Sequence, residues 1–268
     1  MKTKIKNWWE NHLPQDAYSS KKINTKPYFD EQEQKRYEIY YKYFPEILKW
    51  DKWKGKKVLE IGCGGGTDIL QFAKNGAIVT GIDLTETAIK ITKRRFDIYN
   101  LKGTFIQADA ENLPFEDNTF DFVYSLGVLH HTPDTEKAIR EAYRVLRPNG
   151  KILIHLYAKG WKHYIFRKFY FRFMSESKKD KNTEEWGAPL LKVYSKRQFE
   201  KLFPYKIKAT KYRMGVFFDY KSKAFGMTLF PKPIAKLIDI LKLERLFGEN
   251  WVGVGIKSSK TRIKEIPL

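Results

Sequence analysis

The chain has 268 residues, 42% of them hydrophobic and 16% aromatic, enough for a packed core and not the composition of a disordered chain. One cysteine, Cys63, excludes an internal disulfide and fits a reducing compartment, and no spacing of Cys with His suggests a zinc site, so no metal is expected. The net charge of +20 is uneven: residues 58–158 hold 11 Lys or Arg against 13 Asp or Glu, residues 1–57 hold 14 against 8, and residues 159–268 hold 26 against 10. Basic flanks of this kind suit an anionic partner or surface, and equally a set of lysine-rich solvated faces.

The first twenty residues, MKTKIKNWWENHLPQDAYSS, are basic but lack a continuous apolar stretch, and no run of about 18 uncharged apolar residues follows, so a soluble, cytoplasmic protein is expected. Asp30 to Trp50 reads as a helix kinked or broken by Pro45. KKVLEIG is a strand, TDILQFAKNG a helix with Gly76 at its carboxyl-terminal cap, and AIVTGID a second strand. LTETAIKITKRRFDIYN is a helix with Thr85 as N-cap, followed by strands GTFIQAD and FDFVYSLGV. DTEKAIREAYRVLRPNG reads as a helix stopped by Pro148 and Gly150, and GKILIHLYA as a fifth strand. Short apolar strands alternating with amphipathic helices indicate an α/β fold, doubly wound about a mostly parallel sheet buried on both faces.

Beyond Ala158 the rhythm weakens. WKHYIFRKFYFRF is aromatic and cationic, with Ile165, Phe166, Phe169, Tyr170 and Phe173 on one helical face and Lys168 and Arg172 beside it; SESKKDKNTEEWG reads as a charged loop. SKRQFEKLF is a helix capped by Ser195, YKIKATKYRM a strand, PKPIAKLIDILKLERLFG a helix with Pro233 in its first turn, and NWVGVGIKS the last strand. The organisation expected is an amino-terminal arm and cap helix over 1–54, a ligand-binding core over 55–158, a basic, aromatic acceptor-side insert with the last helices and strands over 159–258, and a tail over 259–268.

The stretch VLEIGCGGGTD ends a buried strand in four glycines. In open α/β sheets the ligand lies at the carboxyl ends of the strands, and the first strand-to-helix turn must let it touch backbone. Neither a dinucleotide fingerprint, which fails at Thr67, nor a Walker loop is present; the pattern is Glu60-x-Gly62-x-Gly64-x-Gly66. It resembles the first motif of class I S-adenosylmethionine-dependent methyltransferases, and further matches follow in order: GIDLTETAI, QADAENLPFEDNTFD, FDFVYSLGVLHHTPD and LRPNGKILI. The resemblance implies a seven-stranded Rossmann-like sheet with helical cap and insert elements, and S-adenosylmethionine as cofactor. It implies a cofactor site at Glu60, Gly62, Cys63, Gly64 and Gly65; Asp83 as acceptor for both ribose hydroxyls, with Leu84 beside it; Asp109 as acceptor for the adenine amine, with the Ala110 amide at a ring nitrogen; and Ser125 beside the methionine part. Cys63 itself reads as a small residue in a crowded loop, with no base nearby in sequence to make it a nucleophile.

Methyl transfer asks for in-line approach, exclusion of water and, for a weakly acidic acceptor, a base. His130 and His131 follow the fourth strand, and a neutral imidazole takes a proton near pH 7; His131 matches a His found there in many family members, while capping of the next helix and packing under the cofactor are the structural readings of the pair. Arg36, with Tyr37 beside it, lies on the preceding helix, where an arginine pairs with a methionine carboxylate or stays a solvated cation, and Tyr28 to Asp30 could help form a lid. The chain resembles the branch that includes quinone-biosynthesis C-methyltransferases, but SLGVLHHTPD and the long carboxyl-terminal insert depart from them and point away from a quinone. The acceptor expected is an anionic or amphipathic small molecule, lipid or glycan, with peripheral membrane contact a further possibility for the basic aromatic face. An RNA methyltransferase or a non-catalytic RNA-binding protein is the alternative, without a visible RNA-binding module, and a nicotinamide oxidoreductase is a third reading.

Overall fold

Ahead of the sheet the chain forms α1 (Lys2–Asn11), α2 (Lys26–Lys35), a π-helical turn (Arg36–Tyr40), α3 (Phe44–Leu48) and a 3-10 turn (Trp50–Trp53). This computed structural model describes residues 1–12, 19–159, 188–203, 208–212 and 250–258, with 208–212 known by backbone alone. The aromatic, cationic stretch over 161–173, the charged loop over 175–187 and the helix expected over 231–248 lie outside the described residues. Strands β1 (Lys57–Ile61), β2 (Ile78–Asp83), β3 (Thr104–Gln107), β4 (Phe120–Leu126), β5 (Leu146–Tyr157), β6 (Lys208–Tyr212) and β7 (Asn250–Ile256) make one sheet in the order β3-β2-β1-β4-β5-β7-β6. Six strands run the same way; β7 is reversed and pairs antiparallel with both of its neighbours.

Helices cover both faces, as the strand composition requires. On one face Val58, Phe122, Tyr124 and Leu153 pack against Ile69 and Phe72 of α4 (Thr67–Lys74) and Ile89 and Phe96 of α5 (Glu86–Ile98). On the other, Leu59, Ile61, Val123 and Ile154 meet Ala138, Ile139 and Ala142 of α6 (Thr135–Arg144) and Phe199 of α7 (Lys196–Lys201). The helix ends follow local signals: Gly76 takes φ +81° just past α4, the Thr85 hydroxyl accepts from the Ala88 amide at 3.4 Å, and Ser195 and Gln198 form a reciprocal capping box. The chain order reverses at β1, which has β2 on one side and β4 on the other, so the crevice for a ligand opens at the carboxyl ends of these three strands.

Two local expectations need correction. The segment 30–50 is not one helix: it widens at Arg36–Tyr40, closed by a 2.7 Å bond from the Tyr41 amide to the Arg36 carbonyl, and restarts only at Phe44. At this widened turn two consecutive side chains, Arg36 and Tyr37, reach one carboxylate, Asp68. Helix α6 ends at Arg144, before Pro148 and Gly150; these lie within β5, where the register against β4 shifts between Phe120 and Phe122 and Asn149 takes φ +64°. The turn signal is real, but it builds a bulge in a strand. Helix α1 has no counterpart in the sequence reading. Among the described residues no helix is long and apolar enough to cross a membrane.

Candidate cofactor and acceptor site

The glycines after β1 are required by close packing. Gly62, Gly64 and Gly66 take φ of +78°, +52° and +75°, and a Cβ at Gly62 would lie 2.4 Å from a Val128 methyl. The amides of Gly62 and Cys63 both donate to the Ile82 carbonyl of β2, at 2.8 and 2.9 Å, and the Thr92 hydroxyl of α5 donates to the Gly64 carbonyl at 2.7 Å. The turn is thus held from below, with Gly65 buried within it. Cys63 is buried against Thr92, and burial pushes its thiol well above the ordinary range, as befits a small packing residue. Ser125 is fully buried and donates to the Ile61 carbonyl at 2.8 Å, so it ties β4 to β1 and presents no surface to a ligand.

Beneath the turn lies a buried charge cluster. Arg36 donates from Nε and a second nitrogen to the two oxygens of Asp68 at the start of α4, and the Tyr37 hydroxyl donates to the same carboxylate at 2.8 Å. The guanidinium expected at a ligand carboxylate, or in solvent, is therefore engaged by a protein carboxylate. Tyr41 and Phe44 lie 5.0 and 5.1 Å from it, so it is also enclosed by rings. Glu60 is 2% exposed, with Oε2 unpartnered among the described residues. Burial, then the Asp68 charge, push its carboxyl well above the usual range, with Arg36 opposing. Glu60 thus belongs to the cluster below the turn. Arg95, also buried, donates to Thr67 and to Gln32 and lies over the Phe29 ring, locking the start of α4 to α2 and α5. Tyr28 and Phe29 are buried in this packing, and Asp30 pairs with Lys26 at 2.8 Å; the lid expected of this triplet is a packing contact.

The next two carboxylates do stand at the strand ends. Asp83 Oδ1 accepts from the Thr85 amide at 3.0 Å and its hydroxyl at 2.8 Å, and Oδ2 accepts from the Gly64 amide at 3.0 Å. A carboxylate has about four acceptor sites, so one on Oδ2 stays open, fewer than two ribose hydroxyls would take unless the Thr85 hydroxyl turns away. Burial raises the Asp83 carboxyl, opposed by these bonds. Leu84 lies beside it, its carbonyl accepting from Gln107 at 2.9 Å. Asp109 Oδ1 accepts from the Glu111 amide at 2.9 Å, and Oδ2 meets the Lys2 ammonium at 2.5 Å; Ala110 packs on the core edge next to it. The residues fit a nucleoside: bare backbone in the turn, and an acceptor position left on the carboxylate of the adjacent strand.

The two histidines after β4 differ. His131 Nδ1 lies 2.6 Å from the Leu190 carbonyl, which only accepts, so the proton is on Nδ1 and Nε2 carries the free pair. Burial lowers its pKa, the Leu190 bond opposing, and keeps the ring neutral. His130 is fully buried, both nitrogens unpartnered among the described residues, its ring 4.2 Å from His131 and 4.1 Å from Tyr157; burial holds it well below the usual value. Neither caps α6, whose N-cap is Asp134, accepting from the Lys137 amide at 2.8 Å. The loop is braced by Lys192, whose amide donates to the His130 carbonyl at 3.1 Å and whose ammonium meets the Pro133 carbonyl at 2.7 Å.

Two parts of the site escaped the sequence reading. One is His155 in β5, 1% exposed, with Nε2 3.0 Å from the Tyr43 hydroxyl and Nδ1 unpartnered among the described residues. A histidine within the apolar run KILIHLY of a central strand was a readable anomaly. The other is α1, which lies across the rim. Lys2 pairs with Asp109 and, at 2.7 Å, with Glu111; Glu10 accepts from the amides of Glu86 and Thr87 at 2.9 and 3.1 Å; and Trp9 meets the His131 ring edge-on at 4.9 Å.

Residues 59–154 match the family model described as a methyltransferase domain. Among curated proteins, the ubiquinone biosynthesis O-methyltransferase of Coxiella burnetii is 34% identical over 113 residues, 42% of this chain and 48% of that protein. A phthiotriol/phenolphthiotriol dimycocerosates methyltransferase of Mycobacterium ulcerans is 44% identical over 102 residues, 37% of this chain and 36% of that protein. The chain thus spans about half or less of the curated relatives it matches. Two solved structures share the fold: magnesium protoporphyrin IX methyltransferase of Synechocystis with bound SAH (TM-score 0.59, 15% identity, 96% of this chain and 99% of that one) and a SAM-dependent methyltransferase of Methanosarcina mazei (0.54, 19%, 80% and 97%).

Proposed function

We propose that this chain, whose residues 59–154 are a class I S-adenosylmethionine-dependent methyltransferase domain, transfers a methyl group to a hydroxyl of an amphipathic or anionic small molecule or lipid in the cytoplasm. The observation that carries the reading is the bare turn Gly62–Gly66 at the sheet's switch point, with an open acceptor position on Asp83 beside it. Bound S-adenosylmethionine supplies a methyl group already made electrophilic by its sulfonium.

The chain's residues then divide the work. The turn would hold the amino-acid part of the cofactor, Asp83 its ribose, and Asp109, the Ala110 amide and Leu84 its adenine. Arg36, Asp68, Glu60 and Ser125 keep the floor rigid. His131 Nε2, its tautomer fixed by Leu190, takes the acceptor proton as the new bond forms, and the packed rings of His130 and Tyr157 exclude water on that side. Hydroxyl acceptance is in keeping with the Coxiella relative, an O-methyltransferase.

The test is incubation of a cell extract with isotopically labelled S-adenosylmethionine and the protein, followed by fractionation. Label in the small-molecule or lipid pool, lost with His131→Gln, is expected. Label in the RNA pool would replace this reading by an RNA methyltransferase, in keeping with the basic segment 159–268. No label in any pool, together with no S-adenosylmethionine binding at millimolar levels, refutes it.

A further inference from the structure

Buried polar atoms without partners gather at the carboxyl end of β5. Among the described residues, both nitrogens of the fully buried His130, Nδ1 of His155 and Nδ2 of Asn250 are unpartnered, and His155 and Asn250 are each 1% exposed. Alternation along β5 puts His155 and Tyr157 on the same face as Leu153, and the antiparallel register sets Val252 opposite His155 and Asn250 opposite Tyr157. The His130 ring lies 4.1 Å from the Tyr157 ring, and His155 is near enough that its charge would disfavour one on His130. The three side chains therefore border one region, next to His131, whose ring is 4.2 Å from that of His130. Buried polar groups are costly to leave unpaired, so several of them together mark a place for a ligand group.

Their hydrogen-bonding capacity says which group. The Tyr43 hydroxyl lies 3.0 Å from His155 Nε2. A phenol gives up its proton more readily than a neutral imidazole N–H, so Tyr43 donates, Nε2 accepts, and the ring proton sits on Nδ1. Asn250 brings the N–H donors of Nδ2, and the neutral His130 ring brings one more. Against these donors the unpartnered atoms include a single accepting nitrogen, on His130. Such a set suits an oxygen that only accepts. Two half-buried residues stand between it and the crevice. A Cβ on Gly127, at the end of β4, would lie 3.8 Å from His155 Nδ1, and the Tyr157 ring, against His130 and across from Asn250, must turn for a ligand to pass.

We propose that Asn250, His155 and His130 form a donor pocket that holds an sp2 oxygen of the methyl acceptor, a carboxylate or a ketone, and so sets the acceptor hydroxyl beside His131. The inference rests on the methyltransferase reading. It narrows the acceptor to a compound whose hydroxyl and carbonyl oxygen lie a ring's width apart, as the two histidine rings do. Asn250 and His155 are positioning residues: they fix where the acceptor lies, while His131 handles the proton.

The experiment uses the full chain saturated with S-adenosylhomocysteine and three probes: catechol, protocatechuate, which is catechol carrying a carboxylate, and the corresponding methyl ketone. Calorimetry should show the acid, the ketone or both binding about tenfold tighter than catechol, the order of one good hydrogen bond, and the probe that gains identifies the oxygen. In Asn250→Leu this advantage should shrink by about tenfold while the affinities for catechol and S-adenosylhomocysteine hold; a merely structural role would weaken all three probes together. In the wild-type chain the favoured probe should also shift the Asn250 side-chain amide and the His130 ring protons, a readout independent of whether the variant folds. Equal affinities for the three probes, no binding of any of them, an advantage untouched by Asn250→Leu, or unmoved Asn250 and His130 signals overturns the inference and leaves the methyltransferase reading standing. Failure of the wild-type chain to bind S-adenosylhomocysteine overturns both.

Discussion

Replacing His155 by Gln should remove a large part of the acid sensitivity of this fold. His155 is enclosed at the end of β5, and burial, aided by the Arg36 charge, brings its pKa from 6.5 down to about 3. In the unfolded chain it titrates near its ordinary value, so between pH 6.5 and 3 the unfolded state binds a proton that the folded state refuses. Stability is then intact above pH 6.5 and falls as pH falls, with a slope approaching 1.4 kcal/mol per unit well below 6.5. From pH 7 to pH 5 the loss from this residue is about 2 kcal/mol. His130 and His131, both held below the ordinary value by burial, add losses of the same sign that remain in the variant. Urea unfolding of wild type and His155→Gln at the two pH values measures the difference directly. Gln keeps a polar partner for the Tyr43 hydroxyl, so the pH 7 values should stay close enough for comparison. Parallel losses in the two proteins between pH 7 and 5 would show that His155 is protonated or solvated in the fold, and the reasoning would fail.

Asp83→Asn should weaken S-adenosylhomocysteine binding by about 10- to 150-fold, the 1.5–3 kcal/mol of a hydrogen bond to a charged group, read by calorimetry with the far-UV spectrum unchanged. His131→Gln should lower methyl transfer by about 10²- to 10⁴-fold while S-adenosylhomocysteine affinity holds; because the folded pKa of His131 is lowered, the acid limb of the wild-type rate should lie below pH 6.5. Ser125→Ala should cost about 1 kcal/mol of stability, and an accompanying large loss of cofactor affinity would contradict its place in the floor. Gly62→Ala should destabilise by about 1–3 kcal/mol from the clash with Val128, plus about 1–2 kcal/mol from its left-handed backbone. Adding Val128→Ala should recover the first contribution only, as thermal melts of the single and double variants would reveal.

The parts of the fold legible in the sequence are those set by near neighbours. Thr85, Ser195 and Gly76 declare helix ends within a turn of themselves, and the apolar runs VLEIG and FDFVY declare buried strands. The carboxylates at strand ends were legible because a strand's end fixes where its last side chains go. What the sequence hid depends on partners far along the chain. Arg36 is 32 residues from Asp68, and nothing local distinguishes an arginine headed for a ligand from one headed for that carboxylate. Glu60 heads the motif, but strand alternation turns it to the same face as Val58, under α4. Helix α1 has one buried residue, and its apolar face, Ile5, Trp8 and Trp9, spans a single turn among lysines, too short for a periodic signal to stand out. Pro148 and Gly150 signalled a turn correctly, but only pairing across β4 and β7 decides that the turn is a bulge inside β5.

The same division between near and far contacts separates the strand-end floor from the groups around the histidines. The floor, from the glycine turn through Asp83, Asp109 and Ser125, lies wholly inside residues 59–154, and so do His130 and His131. The groups that fix those histidines in place do not. Leu190 sets the tautomer of His131, Lys192 braces its loop, Trp9 covers its ring, and all three lie outside the matched residues. The two histidines thus lie inside the matched residues, and the groups that hold them lie outside. Replacing Leu190 leaves its carbonyl in place, so side-chain variants there test packing, whereas changes at Trp9 and Lys192 alter the contacts around the His131 ring and its loop. If His131 serves as the base, the groups that shape its surroundings lie on the two flanks, the segments with most of the positive charge, outside the matched residues.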